Sequence, residues 1–102
     1  MYKRQGLSVY AASKAALEGF SKSLAREVGK AGITVNCVAP GYMQTDMTGD
    51  LQGEKLASIK RRSPLGRLAS VEDAAAMVSF LLSDKGSAIT GTTMTVDAGS
   101  TA

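Results

Sequence analysis

"ITVNCVAPG", Ile33 to Gly41, is the stretch on which the reading of the fold turns. Ile33 to Val38 are mostly β-forming residues in a short, nearly apolar run, the pattern of a buried parallel strand. Pro40 has no amide hydrogen to continue a ladder, and Gly41 lets the backbone turn.

Before this strand the period is helical. From Ser8 to about Lys30, Leu17, Phe20, Leu24 and Val28 recur at spacings of three and four. Ser8 is the expected N-cap, because its hydroxyl can accept from an unpaired first-turn amide. Glu18 and Lys22 form an i,i+4 pair in the favourable order. Lys22, Arg26 and Lys30 put positive charge toward the C-terminal end, and Gly32 can take a left-handed stop.

After the strand, the segment from Tyr42 to Arg67 is irregular. Leu51, Leu56 and Ile59 suggest a short helix, weakened by Gly49 and Gly53, and "SPLGR" reads as loop. Ser70 opens a second clear helix, with Asp73 completing an imperfect capping box and Ala75, Val78, Leu81 and Leu82 supplying an apolar stripe. "SDKGS" ends it, "AITG" bends, Thr92 to Val96 reads as a strand, and "DAGSTA" as loop. Strand, helix, strand is a βαβ unit with a right-handed crossover. Two parallel strands are a poor sheet by themselves. The expected fold is therefore α/β: the C-terminal part of a doubly wound, Rossmann-like parallel sheet. The whole of residues 1–102 forms that partial domain, with residues 1–6 as an extension outside the fold.

Composition narrows the chemistry. With 44% hydrophobic and 21% charged residues the chain reads as globular. A net charge of +3 permits an acidic partner without demanding one. The absence of histidine removes Ser-His-Asp, Cys-His and Cys/His zinc sites built from this chain alone. No dense acidic cluster suggests a metal, so none is expected. One cysteine, Cys37, cannot form an internal disulfide and reads as a small buried apolar residue, which makes a reducing compartment, the cytoplasm, the default. No apolar run approaches the roughly 20 residues of a membrane span, and no apolar segment follows "MYKRQG" as a secretory signal would need. Nucleic acid is not an expected partner, since aromatic residues are not interleaved with basic ones.

"SVYAASK", Ser8 to Lys14, places a phenol and an amine four residues apart, hence on one helix face. A free phenol titrates near ~10, and bringing it to neutrality needs a shift of about three units, roughly 4 kcal/mol. Two unit charges about 4 Å apart in water gain only ~1 kcal/mol. The spacing alone is insufficient: such a pair needs a drier pocket and a second positive charge. A tyrosine and a lysine at this spacing also occur on ordinary helix surfaces.

Taken in order, "YAASK", "VNCVAPG", "TDM", "PLGR" and "ITGTTMTVDAG" resemble the C-terminal half of a short-chain dehydrogenase/reductase, over about Leu7 to Gly99. "GFSKSLAREV", "GITVN", "VAPGY", "TDMT" and "ITG" are most similar to the 3-oxoacyl-[acyl-carrier-protein] reductases within that family. The resemblance implies that Tyr10 is the proton donor to a substrate carbonyl. It implies that Lys14 binds the nicotinamide ribose and lowers the phenol's pKa. It places Pro40 and Gly41 at the turn backing the nicotinamide and Thr45 near the carboxamide, while Ser13 is not the catalytic serine. The implied cofactor is NADPH, with NADH open. The implied substrate is a small carbonyl compound, carried on acyl-carrier protein in the closer likeness, or a sugar or secondary alcohol. The implied assembly is a homotetramer built through the last helix and strand. The family's glycine-rich dinucleotide turn and its catalytic serine and asparagine have no counterpart among these residues, so the chain by itself is expected to hold half a site. An inactive association module is the alternative.

Three further features keep two readings each. Lys60, Arg61 and Arg62 could steer an acidic carrier, but an ordinary solvated patch is favoured. Met43 and Met47 could line an acyl pocket, whereas Met77 is expected in the core. Asp46 either orients the loop or caps the short helix, and Asp97 and Gly99 shape the terminus.

Overall fold

The computed structural model describes residues 7–41, 43 and 53–102. Helix α1 spans Leu7–Val28, strand β1 Cys37–Pro40, helix α2 Gly53–Arg62, helix α3 Val71–Leu82 and strand β2 Thr93–Val96. The expected order of elements is therefore present. The expected extension, residues 1–6, lies outside the described residues. The chain divides into two compact units, one of Met1–Cys37 with Ala88–Thr93, the other of Val38–Ser87 with Met94–Ala102.

The two strands pair as one sheet. Cys37 N donates to Thr92 O at 2.9 Å, and four residues later on both strands Gly41 N donates to Val96 O at 3.0 Å. An equal advance in the same direction on both partners is the register of a parallel pair. This is the partial α/β fold that the sequence reading expects.

In the first unit, the alanines at 11, 12, 15 and 16 supply strong helix formers to α1. The helix already includes Leu7, so Ser8 sits within its first turn and not at the N-cap. Its end is as expected: a turn of 3₁₀-helix over Gly29–Ala31 closes on Gly32, at φ +78°, whose amide bonds Gly29 O at 2.9 Å. The covered face differs from the apolar stripe. Ser21 and Ala25 are buried and Leu24 and Val28 half-buried, whereas Leu17 and Phe20 (63% exposed) are open to solvent. Small side chains let the 88–93 segment lie close: a Cβ on Gly91 would stand 3.6 Å from Ala25 Cβ. Glu18 and Lys22 serve that segment in place of the expected mutual pair. Thr93 Oγ1 donates to Glu18 at 3.3 Å, and Lys22 Nζ donates to Gly91 O at 3.3 Å.

Strand β1 begins four residues later than Ile33. The reason is Asn36, whose side chain occupies the place of a ladder. Its Nδ2 donates to Ile89 O at 3.0 Å, and its Oδ1 accepts from Thr92 N at 3.1 Å and Thr92 Oγ1 at 2.8 Å. Val35 N donates to Thr90 Oγ1 at 3.0 Å. Side-chain bonds of this kind compete with regular strand pairing. At the other end Pro40 is part of the strand as its last residue, a position that needs no amide, and Gly41 makes the next bond. Cys37 is half-buried, with its thiol 3.3 Å from Ser21 Oγ.

In the second unit α2 starts at Gly53, with φ +60°, and buries Ile59, while Lys60, Arg61 and Arg62 are all exposed in its last turn. Leu51 lies outside the described residues. Helix α3 has a complete capping box: Asp73 N donates to Ser70 Oγ at 3.0 Å and Ser70 N donates to Asp73 Oδ2 at 2.9 Å. Aspartate thus serves where glutamate is the commoner partner. Arg67 adds a 2.9 Å ion pair to the same oxygen. The bond from the Ser70 amide, followed by the Arg67 bond, lowers the Asp73 pKa from its ordinary 3.8 to about 2. The predicted stripe of α3 is largely uncovered: Leu81 is half-buried, whereas Ala75, Val78 and Leu82 (83% exposed) face solvent. Periodicity marks a face that needs covering; it does not supply the cover. No described helix is long and apolar enough to cross a membrane.

Candidate functional site

Tyr10 and Lys14 lie one turn apart on α1, and the spacing puts them together. Lys14 Nζ stands over the Tyr10 ring, 5.3 Å from its centroid. That geometry is a cation–π contact, worth about 0.5–1 kcal/mol at an exposed site. The Tyr10 ring is 57% exposed, so the first unit leaves it without the dry wall that the phenol's chemistry calls for. Ser13 is engaged locally, its hydroxyl donating to Tyr10 O at 2.9 Å. Among the described residues the Tyr10 hydroxyl has no hydrogen-bond partner and Lys14 has no carboxylate partner, which leaves both polar groups available to a ligand.

Pro40 and Gly41 are in the second unit, at the carboxyl end of β1, where open α/β sheets place ligands. The reason for glycine at 41 is different from the one the sequence suggests. Its φ is not positive, and a Cβ there would fall 2.6 Å from Asp97 Cβ and 3.1 Å from Asp97 Cα. An internal neighbour already fills the space. Thr45, Asp46 and Met47 lie outside the described residues. Met43 and Met77 are half-buried.

Sequence reading assigns Asp97 no more than shaping the terminus. In the structure it is 8% exposed, and its carboxylate accepts from Gly99 N at 2.8 Å, Thr101 N at 3.0 Å and Thr101 Oγ1 at 2.6 Å. The Thr101 hydroxyl above all holds the Asp97 carboxyl below its ordinary range, against burial, which pushes it up, and with help from the backbone amides of Gly99, Thr101 and Asp97 itself. The signal was present in "DAGST": an aspartate with Gly at +2 and Thr at +4 is a side-chain-to-backbone turn pattern. A groove of about 730 Å³ in the second unit, walled by Leu65, Met77, Phe80 and Val96, has none of the described predicted site residues in its lining. Among the described residues no group of three His, Cys, Asp or Glu side chains could hold a metal ion.

Residues 2–101 match the profile of a family described as "Enoyl-(Acyl carrier protein) reductase". The chain is 53% identical over 94 residues to the 3-oxoacyl-[acyl-carrier-protein] reductase of Salmonella typhimurium, 52% to that of Escherichia coli and 49% to that of Pseudomonas aeruginosa. Each match takes in 92% of this chain and 38% of the relative, so the chain spans well under half the length of these enzymes.

Proposed function

Because this chain belongs to the short-chain dehydrogenase/reductase family and is about half identical to 3-oxoacyl-[acyl-carrier-protein] reductases within it, we propose that it carries the proton-donating half of an active site that reduces 3-oxoacyl thioesters on acyl-carrier protein. The Tyr10–Lys14 pair carries this reading. It presents a phenol and an ammonium from one exposed helix face, with no competing carboxylate among the described residues.

Those two residues fit a nicotinamide dinucleotide: an unpaired ammonium suits ribose hydroxyls, and an unpaired phenol suits a carbonyl oxygen beside the ring. When bound, the nicotinamide supplies a hydride to the carbonyl carbon. Tyr10 then donates its hydroxyl proton to the oxygen on which negative charge grows, acting as general acid. Lys14 stays protonated, holds the ribose and stabilises the phenolate left behind. Pro40, Gly41 and Thr45 are assigned, on the family resemblance, to contact with the nicotinamide. NADPH is the cofactor we assign, on the relatives' likeness; NADH is the comparison to run against it. The cytoplasm fits a chain whose one cysteine is a free thiol. The exposed Val78, Phe80 and Leu82 of α3 support association into a homo-oligomer.

The deciding experiment joins this chain to a family N-terminal half and measures ketone reduction with Tyr10→Phe. Full retention of rate would remove Tyr10 as the acid. Calorimetry of NADPH on the chain alone is expected to show no binding. Tight stoichiometric binding would contradict the half-site reading.

A further inference from the structure

The last six residues form a hook tied to two other parts of the second unit. Besides its three carboxylate bonds, Asp97 accepts through its carbonyl from Ser100 N at 3.1 Å and Ser100 Oγ at 2.9 Å. Ala98 is held at φ +58°, a conformation unusual for a residue with a side chain. Its carbonyl accepts from Ser63 Oγ at 2.9 Å and Leu65 N at 3.3 Å. A Cβ on Gly99 would lie 2.8 Å from Pro64 Cγ. One side of the hook is thus fastened to the turn after α2. The other side is Asp97 itself, seated against Gly41 so closely that no side chain fits between them.

We propose that Asp97 is a positioning residue, which through its bonded turn sets where the Pro40–Gly41 backbone lies at the carboxyl end of β1. The proposal rests on the function assigned above in one respect, that Gly41 flanks the nicotinamide. Two observations give it force. Gly41 N is bonded to Val96 O, the residue just before Asp97, so the strand end is joined directly to the base of the hook. Beside Gly41 there is a cavity of about 230 Å³, lined by Gly41, Ile59, Arg62, Asp97, Ser100 and Thr101. With that space next to it, a Gly41 turn released by the hook has somewhere to go.

The test uses the polypeptide that joins this chain to a family N-terminal half, with Asp97→Asn, Thr101→Val and the conservative Thr101→Ser. Thr101→Val is the milder of the two disruptive changes and keeps the experiment informative if Asp97→Asn fails to fold. Amide exchange at Gly41 is expected to quicken about tenfold or more in Asp97→Asn and Thr101→Val, and to stay near the parent rate in Thr101→Ser. In the same variants KM for NADPH should rise by a larger factor than kcat falls. Quicker exchange at Gly99 and Thr101 with none at Gly41 would overturn the proposal, because the hook would then be a local turn. So would quicker exchange at Gly41 with an unchanged KM. A parent polypeptide without ketone reduction would instead sink the functional reading, and the exchange rates would still decide whether Asp97 holds Gly41.

Discussion

In the first unit Asn36 joins two stretches of backbone with a neutral amide, whereas in the second Asp73 and Asp97 do comparable work with carboxylates. Beside these bonded groups, the Tyr10 hydroxyl and Lys14 ammonium stand on an exposed helix face with no hydrogen-bonding or ionic partner among the described residues. The difference separates residues that hold the fold from residues offered to chemistry. A fastening group is buried or half-buried and has its bonds met inside the chain; a reacting group must keep its polar atoms open to the ligand. The contrast predicts that substitutions in the two sets fail in different assays.

The largest effect should come from Tyr10→Phe in the joined polypeptide. Loss of a general acid typically costs 10²–10⁴-fold in rate, about 3–5 kcal/mol of barrier. Because Tyr10 is exposed, urea unfolding should register a change in stability of about 0.5 kcal/mol or less. A variant that unfolds early while keeping its rate would break the distinction, since Tyr10 would then be fastening the fold.

Asn36→Leu should do the reverse. It leaves Thr92 N and Ile89 O without partners in a half-buried place. Each such orphan costs about 1–3 kcal/mol, so urea unfolding should register a loss of about 2 kcal/mol or more. The residue sits outside the proposed chemistry, so kcat measured well below the new midpoint should hold near the parent value. A stability change near zero would show that water replaces the amide without penalty.

These two residues also show what the sequence made legible. Tyr10 and Lys14 could be paired in advance, because i,i+4 spacing on a helix determines which side chains meet. The order of helices and strands was readable for the same reason: local periods and caps such as Ser70 with Asp73 act within a few residues. Asn36 was not readable in this way, nor was the contact of Asp97 with Gly41, although the local turn at Asp97 was. Asn36 acts on Ile89 and Thr92, more than fifty residues on, and Asp97 presses on Gly41 from the far end of the chain. A contact across that distance leaves no local pattern. The exposed Phe20 and Leu82 fall between: their period was visible, but the surface that should cover them was not.

Ser70→Ala sharpens the comparison at a smaller scale. It removes the acceptor for Asp73 N, and loss of such a cap costs about 1 kcal/mol, read as a shift of the urea midpoint. Ser70→Asp, which restores an acceptor, should recover most of it. Failure of that rescue would mean that the Ser70 hydroxyl does not stabilise the helix through this bond.

The subtlest expectation is the pH dependence of the two fastenings. Asp73 binds its proton less readily folded than unfolded, since its pKa falls from 3.8 to about 2. The unfolded chain therefore takes up protons first on acidification, and stability falls with pH. The contribution is complete above roughly pH 5 and fades as pH drops through the folded value near 2; Asp97, shifted in the same direction, adds to it. Unfolding midpoints measured from pH 5 to pH 2 should thus slope downward. Asp73→Asn should flatten the slope, because the amide has no proton to gain in that range. Asn36→Leu should lower the whole curve and leave its slope unchanged, because the amide it removes is uncharged throughout. Parallel curves for both variants would mean that the carboxylates titrate alike in the folded and unfolded chains, and the contrast between neutral and charged fastening would fail.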